Sequence, residues 1–209
     1  MSVPARTQGP RRAARREEIR RRLLHAVEEL LREGATYSEL PLDRLARDAG
    51  ISRSRFYVYF EDKGDLLRAL TEDVIKELFD ATLPWWSMPA GSTEQDLRAV
   101  TRHVFEIFLP HKELLAAVVQ VASYDSVTRE VFASAMDEAM AGYGARLAQT
   151  QLDGQADAAL DPDRVPALLS WMAECGLFQL VARSTGEDTD RHLSALNRIV
   201  WNVLYAGVR

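Results

Sequence analysis

The chain has 209 residues, of which 47% are hydrophobic; this composition suits one or two folded domains and excludes a disordered chain. The formal net charge is −5, but residues 1–60 contain 13 arginines and eight acidic residues, whereas residues 61–209 have a net charge of −10. A basic N-terminal part joined to an acidic remainder indicates that only the N-terminal part approaches a polyanion.

Three further features concern the cellular compartment. Cys175 is the single cysteine, which excludes an intrachain disulfide and fits a reducing cytosol. The arginine-rich start lacks the apolar stretch of a secretory signal. The longest unbroken apolar run, 114–119, is far shorter than the ~20 residues that cross a bilayer. We therefore expect a cytoplasmic protein that does not enter a membrane.

The first 15 residues are rich in arginine, include Pro4 and Pro10, and show no apolar periodicity, so they are predicted to form a flexible basic arm. A helix is predicted from about Arg16 to Gly34. Its apolar residues recur at helical spacing: Ile19, Leu23, Val27 and Leu30. Two short helices cannot bury a core without a third, and this helix supplies it.

Residues 42–60 predict two short helices joined by a tight turn. Gly50 can adopt the left-handed conformation that ends the first helix, and Ser52 is a good N-cap for the second. Phe56 and Phe60 lie on one face of the second helix. The other face presents donors and rings: Arg53, Arg55, Tyr57 and Tyr59. This pattern indicates a helix-turn-helix whose recognition helix, 53–59, faces DNA.

A longer helix is predicted after Phe60, with Asp62 as its N-cap and apolar residues at helical spacing from Leu66 to Leu78. Lys63 lies in its first turn, where a cation is unfavourable because the helix dipole is positive there. We therefore expect an external anion, such as a DNA phosphate, beside Lys63.

Pro84–Gly91 interrupts the helical pattern and is predicted to be a loop, in which Trp85 and Trp86 form a lid or anchor the loop. Helices follow at about 93–109, 111–123, 126–150, 162–183 and 188–206, and no strand pattern persists. The predicted fold class is all-α, with about nine helices. Gly142 and Gly144 lie inside a predicted helix, which indicates that another backbone or a ligand approaches closely there.

The last two predicted helices have more apolar surface than one domain core requires. Residues 167–182 are apolar on nearly all sides, which indicates burial on more than one side. The final helix carries Trp201 and Tyr205 on a second face, and Ala173 and Gly176 would admit a partner helix. We expect a homodimer in which 162–183 and 188–206 of both subunits form a four-helix bundle.

The Ala49-Gly50-Ile51-Ser52 turn, followed by Phe-Tyr-x-Tyr-Phe and Lys-x-x-Leu-Leu, resembles the TetR family of bacterial transcriptional regulators over about residues 16–70. The resemblance implies a helix-turn-helix DNA-binding domain at 16–62 after a basic arm at 1–15, and a helical effector-binding and dimerisation domain at 63–209. It implies a homodimeric repressor that a small molecule releases from a palindromic operator. Carried over by position, the DNA contacts are Arg53, Ser54, Arg55, Tyr57, Tyr59 and Lys63.

The chemistry of these positions agrees with that role, with two departures from the family pattern. Arg53 and Arg55 can each donate two hydrogen bonds to guanine, while tyrosine hydroxyls and Lys63 suit phosphates. The family commonly has threonine where this chain has Arg55, so a more guanine-rich operator is expected. Leu42 cannot offer the hydroxyl that the family usually presents to phosphate at that position.

The Phe105-Glu106-Ile107-Phe108 and His111-Lys112 elements resemble the EthR-type repressors of this family. Their ligand-contacting asparagines correspond to Ser170 and Ala173 here, so the resemblance implies a mainly hydrophobic effector. Aromatic residues and methionines at helical spacing are candidates for its pocket, and equally for ordinary core: Phe105, Phe108, Met136, Met140, Tyr143, Trp171, Phe178 and Trp201.

No catalytic arrangement is recognisable, because the four histidines lack metal-ligand spacing and no glycine-rich phosphate loop is present. We expect no cofactor, no metal and no enzymatic activity. Two alternatives remain. One is a DNA-binding factor with the same domain but no small-molecule effector. The other, more remote, is an all-α lipid carrier or enzyme.

Overall fold

The computed structural model describes residues 9–205, without the side chains of residues 9–13, Phe178 and Ala182. Within this range the secondary structure is entirely helical, which confirms the all-α prediction. The α-helices are α1 Gly9–Arg32, α2 Leu42–Asp48, α3 Arg53–Phe56, α4 Lys63–Thr82, α5 Glu94–Ala122, α6 Ser126–Leu152, α7 Val165–Gln179 and α8 Glu187–Leu204. Short 3-10 helices span Tyr37–Glu39, Leu83–Trp86 and Val181–Arg183.

Several boundaries differ from the prediction. Helix α1 is described from Gly9 onward, so it extends N-terminal to the predicted start at about Arg16, and the arginines and alanines of this stretch are good helix formers. It therefore includes part of the predicted arm 1–15, and residues 1–8 lie outside the described residues. The predicted helices 93–109 and 111–123 are one helix, α5, which contains Pro110. Burial of Phe108 and Leu114 on either side of Pro110 outweighs its missing hydrogen bond. This merger reduces the nine expected helices to eight within 9–205.

The chain divides into two compact units. The first comprises the described part of residues 1–71 together with Glu113–Arg129, and the second comprises Glu72–Lys112 together with the described part of 130–209. None of the helices in the described part of the chain is long and apolar enough to cross a membrane.

The first unit contains the helix-turn-helix. Helix α1 contacts α2, and α2 contacts α3. The predicted stripe of α1 is buried: Ile19, Leu23, Val27 and Leu30. Helices α2 and α3, the segment after α3 and the start of α4 contribute further buried side chains: Leu45, Ala46, Phe56, Phe60, Leu66, Leu67 and Leu70. Helices α1, α2 and α3 therefore share an apolar core, as the sequence predicts for a small DNA-binding domain, and the start of α4 adds to it.

The second unit is built on an aromatic-rich core, which we call the tryptophan cluster. Trp85 and Trp86 are both buried in it, so they anchor their segment. The Thr150 hydroxyl donates to the Trp86 carbonyl at 2.7 Å, and the Tyr205 hydroxyl donates to the Trp85 carbonyl. The cluster comprises Trp85, Trp86, Met88, Leu97, Ala139, Tyr143, Leu147, Ala156, Leu169, Ala173, Val200, Trp201, Leu204 and Tyr205.

The two glycines inside α6 mark close contacts, as predicted. A Cβ atom at Gly142 would lie 2.6 Å from Cζ of Phe79, whose ring covers this part of the helix. A Cβ atom at Gly144 would lie 2.5 Å from the carbonyl oxygen of Pro162. A side chain thus approaches the first glycine, and a backbone approaches the second.

Candidate nucleic-acid interface

The turn of the helix-turn-helix is fixed by backbone hydrogen bonds around Gly50. The Gly50 N–H donates to the Arg47 carbonyl at 2.8 Å, and the Ile51 N–H donates to the Ala46 carbonyl at 2.9 Å. This pair of bonds is a Schellman motif, which requires a left-handed residue after the helix, and Gly50 has φ +64°. The sequence therefore identified the residue that ends α2.

Arg22 supports the same turn from α1. Its Nη2 donates to the Gly50 carbonyl oxygen at 2.7 Å, and a Cβ atom at Gly50 would lie only 2.2 Å from that nitrogen. A glycine at position 50 thus serves both the backbone conformation and the close approach of the guanidinium. Arg22 connects α1 to the turn that orients α3.

Helix α3 begins at the predicted N-cap but is shorter than predicted. The Ser52 hydroxyl accepts a hydrogen bond from the Arg55 N–H at 3.2 Å. The α-helix ends at Phe56, and residues 57–59 continue as turns in which Val58 and Tyr59 donate to carbonyls three residues back. The prediction of a recognition helix over 53–59 is therefore wrong for its second half. Burial of Phe56 and Phe60 holds the segment against the core and tightens it.

The exposed side of this segment carries most of the predicted DNA contacts. Arg53, Ser54 and Tyr57 are exposed, whereas Arg55 and Tyr59 are half-buried. The five side chains belong to one short segment of the first unit. The arrangement presents two guanidinium groups, hydroxyls and a ring on the surface opposite the buried phenylalanines, which is chemistry suited to base edges and phosphates.

Arg53 is held by neighbours before any ligand binds. Its Nη1 lies 3.3 Å from Oδ1 of Asp43, and its guanidinium carbon lies 5.8 Å from the centre of the Tyr57 ring. The Tyr57 hydroxyl, and then the Asp43 carboxylate, raise the pKa of Arg53 above its usual value. The guanidinium is therefore charged and partly oriented on the exposed surface.

Lys63, in the first turn of α4, directs its ammonium at the backbone of residues 37–40. Nζ donates to the carbonyl oxygens of Leu40 at 2.7 Å, Ser38 at 2.9 Å and Tyr37 at 3.3 Å. These carbonyls stand where we expected a phosphate, and they provide the negative partial charge that offsets the position of Lys63 in the first turn of α4. The N-cap of α4 agrees with prediction, because the Asp62 carboxylate accepts from the Asp65 N–H at 2.7 Å.

Three residues of this surface were missed at the sequence level. Val58 is 68% exposed between Tyr57 and Tyr59, and an exposed apolar side chain can contact a thymine methyl group. Its position between two tyrosines was the available signal. Asp43 and Arg22 carried no local signal, because their partners lie ten and 28 residues away.

Comparisons with known proteins agree with this geometry. Residues 23–70 match the family model described as bacterial regulatory proteins, tetR family. The chain is 28% identical to the HTH-type transcriptional regulator EthR of Mycolicibacterium smegmatis, over 98% of this chain and 96% of that protein. It is 35% identical to the regulator BetI of Escherichia coli over 42% of this chain and 45% of that one.

A TetR-family transcriptional regulator of Mesorhizobium loti has the same fold, with a TM-score of 0.70 at 16% identity over 92% of this chain and 99% of that one. The chain is therefore similar to the TetR family, by sequence over its helix-turn-helix and by fold over nearly its whole length. It is a DNA-binding transcriptional regulator.

The residues predicted to bind an effector are only partly brought together. Tyr143 and Trp201 belong to the tryptophan cluster, and Met140 packs against it. Phe108 is buried, while Phe105 and Met136 are half-buried. Trp171 is 46% exposed on α7 and does not belong to this core. The prediction failed because α7 is apolar on several sides, so its sequence pattern does not show which side faces the core. The Phe178 side chain lies outside the described residues.

The second unit of the regulator also has an open groove of about 540 Å³ between α4 and α6. Phe79 and Gly142 are among the residues that line it. The Phe79 ring centre is 4.9 Å from that of Tyr143, so Phe79 lies between the groove and the tryptophan cluster. Burial raises the pKa of Tyr143 to about 12, and its hydroxyl is hydrogen-bonded to Thr82.

Helix α7 has an exposed apolar stripe. Leu168 is 71% exposed and Trp171 46%, and Met172 and Cys175 are exposed on the same side at helical spacing, while Leu180, which is 53% exposed, follows the end of α7. On α8, Ile199 is exposed as well. We call these residues the α7–α8 stripe. Among the described residues, no group of three or more histidine, cysteine or acidic side chains is placed to hold a metal ion.

Proposed function

We propose that this regulator is a cytoplasmic homodimeric repressor that a small hydrophobic ligand releases from a palindromic operator. The α7–α8 stripe carries the proposal, because large apolar side chains exposed on adjacent helices are characteristic of protein interfaces. Two copies of α7 and α8 would form a four-helix bundle and bury the stripe. The two recognition surfaces of such a dimer, one on each subunit, would suit operator half-sites with centres ~34–36 Å apart, or a multiple of that distance.

Dimerisation is tested by adding charge to the stripe. Leu168→Glu combined with Trp171→Glu should convert a dimer to a monomer in sedimentation velocity, because two buried carboxylates would lack partners. Leu152→Glu is the matched control, since Leu152 is 83% exposed at the end of α6 and outside the stripe. A parent protein that sediments as a monomer at micromolar concentration would contradict the proposal.

The proposed DNA contacts are Arg53, Ser54, Arg55, Tyr57 and Tyr59, with the arginines on guanine and the tyrosine hydroxyls on phosphate. Arg53→Ala or Arg55→Ala should lower the ratio of operator to non-specific affinity by a factor that corresponds to about 1–3 kcal/mol. Arg191→Ala is the charge control, because Arg191 is exposed on α8. Full selectivity in both arginine variants would show that other side chains read the bases.

Ligand release is proposed from the EthR relationship and from the aromatic core of the second unit. Hydrophobic compounds that raise the melting temperature should also weaken binding to the operator. The size of that effect can be no larger than the ligand's difference in affinity between the free and the DNA-bound conformations. A panel of compounds that stabilise the protein but leave operator affinity unchanged would favour the alternative of a DNA-binding factor without an effector.

Repression itself is tested in cells. Deleting the gene should increase expression from the operator that the purified protein binds, measured with a reporter fused to that promoter. A decrease in expression would identify an activator.

A further inference from the structure

Two segments of the first unit are joined by reciprocal hydrogen bonds. The Tyr37 hydroxyl donates to the backbone carbonyl of Lys63 at 2.6 Å, and Lys63 Nζ donates to carbonyls of the Tyr37–Leu40 segment. One segment is the 3-10 helix that precedes α2, and the other is the first turn of α4. We call this set of four hydrogen bonds the Tyr37–Lys63 clamp.

The clamp uses the full donor capacity of the lysine. An ammonium group has three N–H donors, and three carbonyl oxygens lie 2.7, 2.9 and 3.3 Å from Nζ. Hydrogen bonds with a charged donor are about twice as strong as neutral ones. The Lys63 ammonium also lies 5.8 Å from the centre of the Tyr37 ring. No N–H of this group remains for a phosphate in this arrangement.

Burial supports the same conclusion. Tyr37 is buried, so its hydroxyl needs a partner inside the protein, and the Lys63 carbonyl provides it. Burial raises the pKa of Tyr37 and lowers that of Lys63. The Tyr37 hydroxyl has therefore exchanged water for the Lys63 carbonyl, and the Lys63 side chain is partly withdrawn from water.

We propose that Lys63 is a positioning residue that fixes the helix-turn-helix on α4, and that it does not bind a DNA phosphate. The clamped carbonyls belong to residues 37–40, and α2 begins at Leu42. The clamp thus sets where α2 starts, and α2 places Gly50 and α3 through the turn described above. The proposal rests on the DNA-binding function, and Tyr37 is the partner through which Lys63 acts.

Three variants separate positioning from phosphate binding. Lys63→Met removes the charge and the donors but keeps a flexible apolar chain. Lys63→Arg keeps a cation that binds phosphate well, but its planar donors cannot converge from one nitrogen on three carbonyls. Tyr37→Phe removes only a buried hydroxyl. Lys76→Met is the matched control, because Lys76 is exposed on the same helix and its ammonium pairs with Asp80.

Operator affinity is measured by fluorescence anisotropy as a function of salt, after circular dichroism confirms that each variant is folded. We expect both Lys63 variants to bind the operator about tenfold or more weakly, since each loses charge-assisted bonds that hold the binding surface. Tyr37→Phe should also bind more weakly, and Lys76→Met should bind like the parent. The slope of log K against log salt should not change in Lys63→Met.

Phosphate binding predicts different results. Loss of one phosphate contact lowers the magnitude of that slope by about 0.9 per lost contact. That change in Lys63→Met, parent-like or tighter binding by Lys63→Arg, or parent-like binding by Tyr37→Phe would each overturn the proposal. A Lys63→Met variant that does not fold leaves the other two variants to decide. A parent protein that binds no duplex refutes the DNA-binding function itself, which is a distinct outcome.

Discussion

Helix α6 contains a contact whose energy can be worked out from one pair of residues, Gly142 and Phe79. Alanine is favoured over glycine inside a helix by ~0.8–1 kcal/mol. A Cβ atom at position 142, however, would lie 2.6 Å from Cζ and 2.8 Å from Cε2 of Phe79. Overpacking of this kind costs typically ~1–3 kcal/mol. We therefore expect Gly142→Ala to lower the free energy of unfolding by about 1 kcal/mol.

The sign of this effect should reverse when Phe79 is shortened. The three atoms nearest to the added Cβ are Cζ, Cε2 and Cε1 of Phe79, and leucine has none of them. In a Phe79→Leu background, Gly142→Ala should therefore raise the free energy of unfolding by up to about 1 kcal/mol. The coupling energy between the two substitutions should be about 1–3 kcal/mol.

The parent protein, the two single variants and the double variant form a double-mutant cycle, and urea unfolding followed by far-ultraviolet circular dichroism gives the free energy of unfolding of each. All four are measured at one fixed concentration, because dimer formation would make stability concentration-dependent. Gly144→Ala is the matched control, since its Cβ would meet the Pro162 carbonyl oxygen. Phe79→Leu should not relieve that contact. If Gly142→Ala costs as much with Leu at position 79 as with Phe, the ring contact is not the cause and the reasoning fails.

Three other substitutions test single contacts by the same unfolding assay. Ser52→Ala removes the N-cap that accepts from Arg55 and should cost ~0.5–2 kcal/mol, whereas Ser52→Gly should cost only a few tenths; equal losses would contradict the capping role. Tyr205→Phe leaves two buried backbone groups of the tryptophan segment without a partner and should cost ~1–3 kcal/mol, against no loss if water replaces the hydroxyl. Hydrogen bonds from the Thr93 N–H and hydroxyl lower the pKa of Asp96. Its folded-state pKa is therefore below its unfolded value, so its contribution is present above about pH 4 and is lost as pH falls through the folded pKa. Asp96→Asn should accordingly flatten the decrease in stability below pH 4, and an unchanged acid limb would exclude this assignment.

Local chemistry was enough to predict the DNA-binding motif. Gly50, Ser52 and Phe56 each satisfy a requirement that involves residues within four positions, namely a left-handed turn, an N-cap and a buried helix face. The all-α fold followed from apolar periodicity in the same way. Such signals depend on a few residues that are close in the sequence, so the amino-acid sequence alone is enough to show them.

Other features depend on tertiary contacts, which the amino-acid sequence does not show directly. The partners of Lys63 lie 23 to 26 residues away, and only the folded chain brings them to its ammonium. The apolar surface of α7 surrounds the helix, so periodicity could not decide whether Trp171 faces the core or the exterior. Pro110 predicted a helix end, but packing on both sides of it kept α5 continuous.

The ion pair between Asp43 and Arg53 has a consequence for operator choice. For the proposed base contact, DNA must first draw the guanidinium away from a carboxylate 3.3 Å distant. A lone phosphate oxygen offers little that Asp43 does not already supply, whereas O6 and N7 of guanine accept two bonds in the fork geometry of arginine. Once Arg53 has moved away, the unpaired Asp43 carboxylate also repels the phosphates of any poorly matched duplex. A residue that weakens binding to all DNA thereby penalises random sequence more than the operator, so fidelity is gained through a loss of affinity.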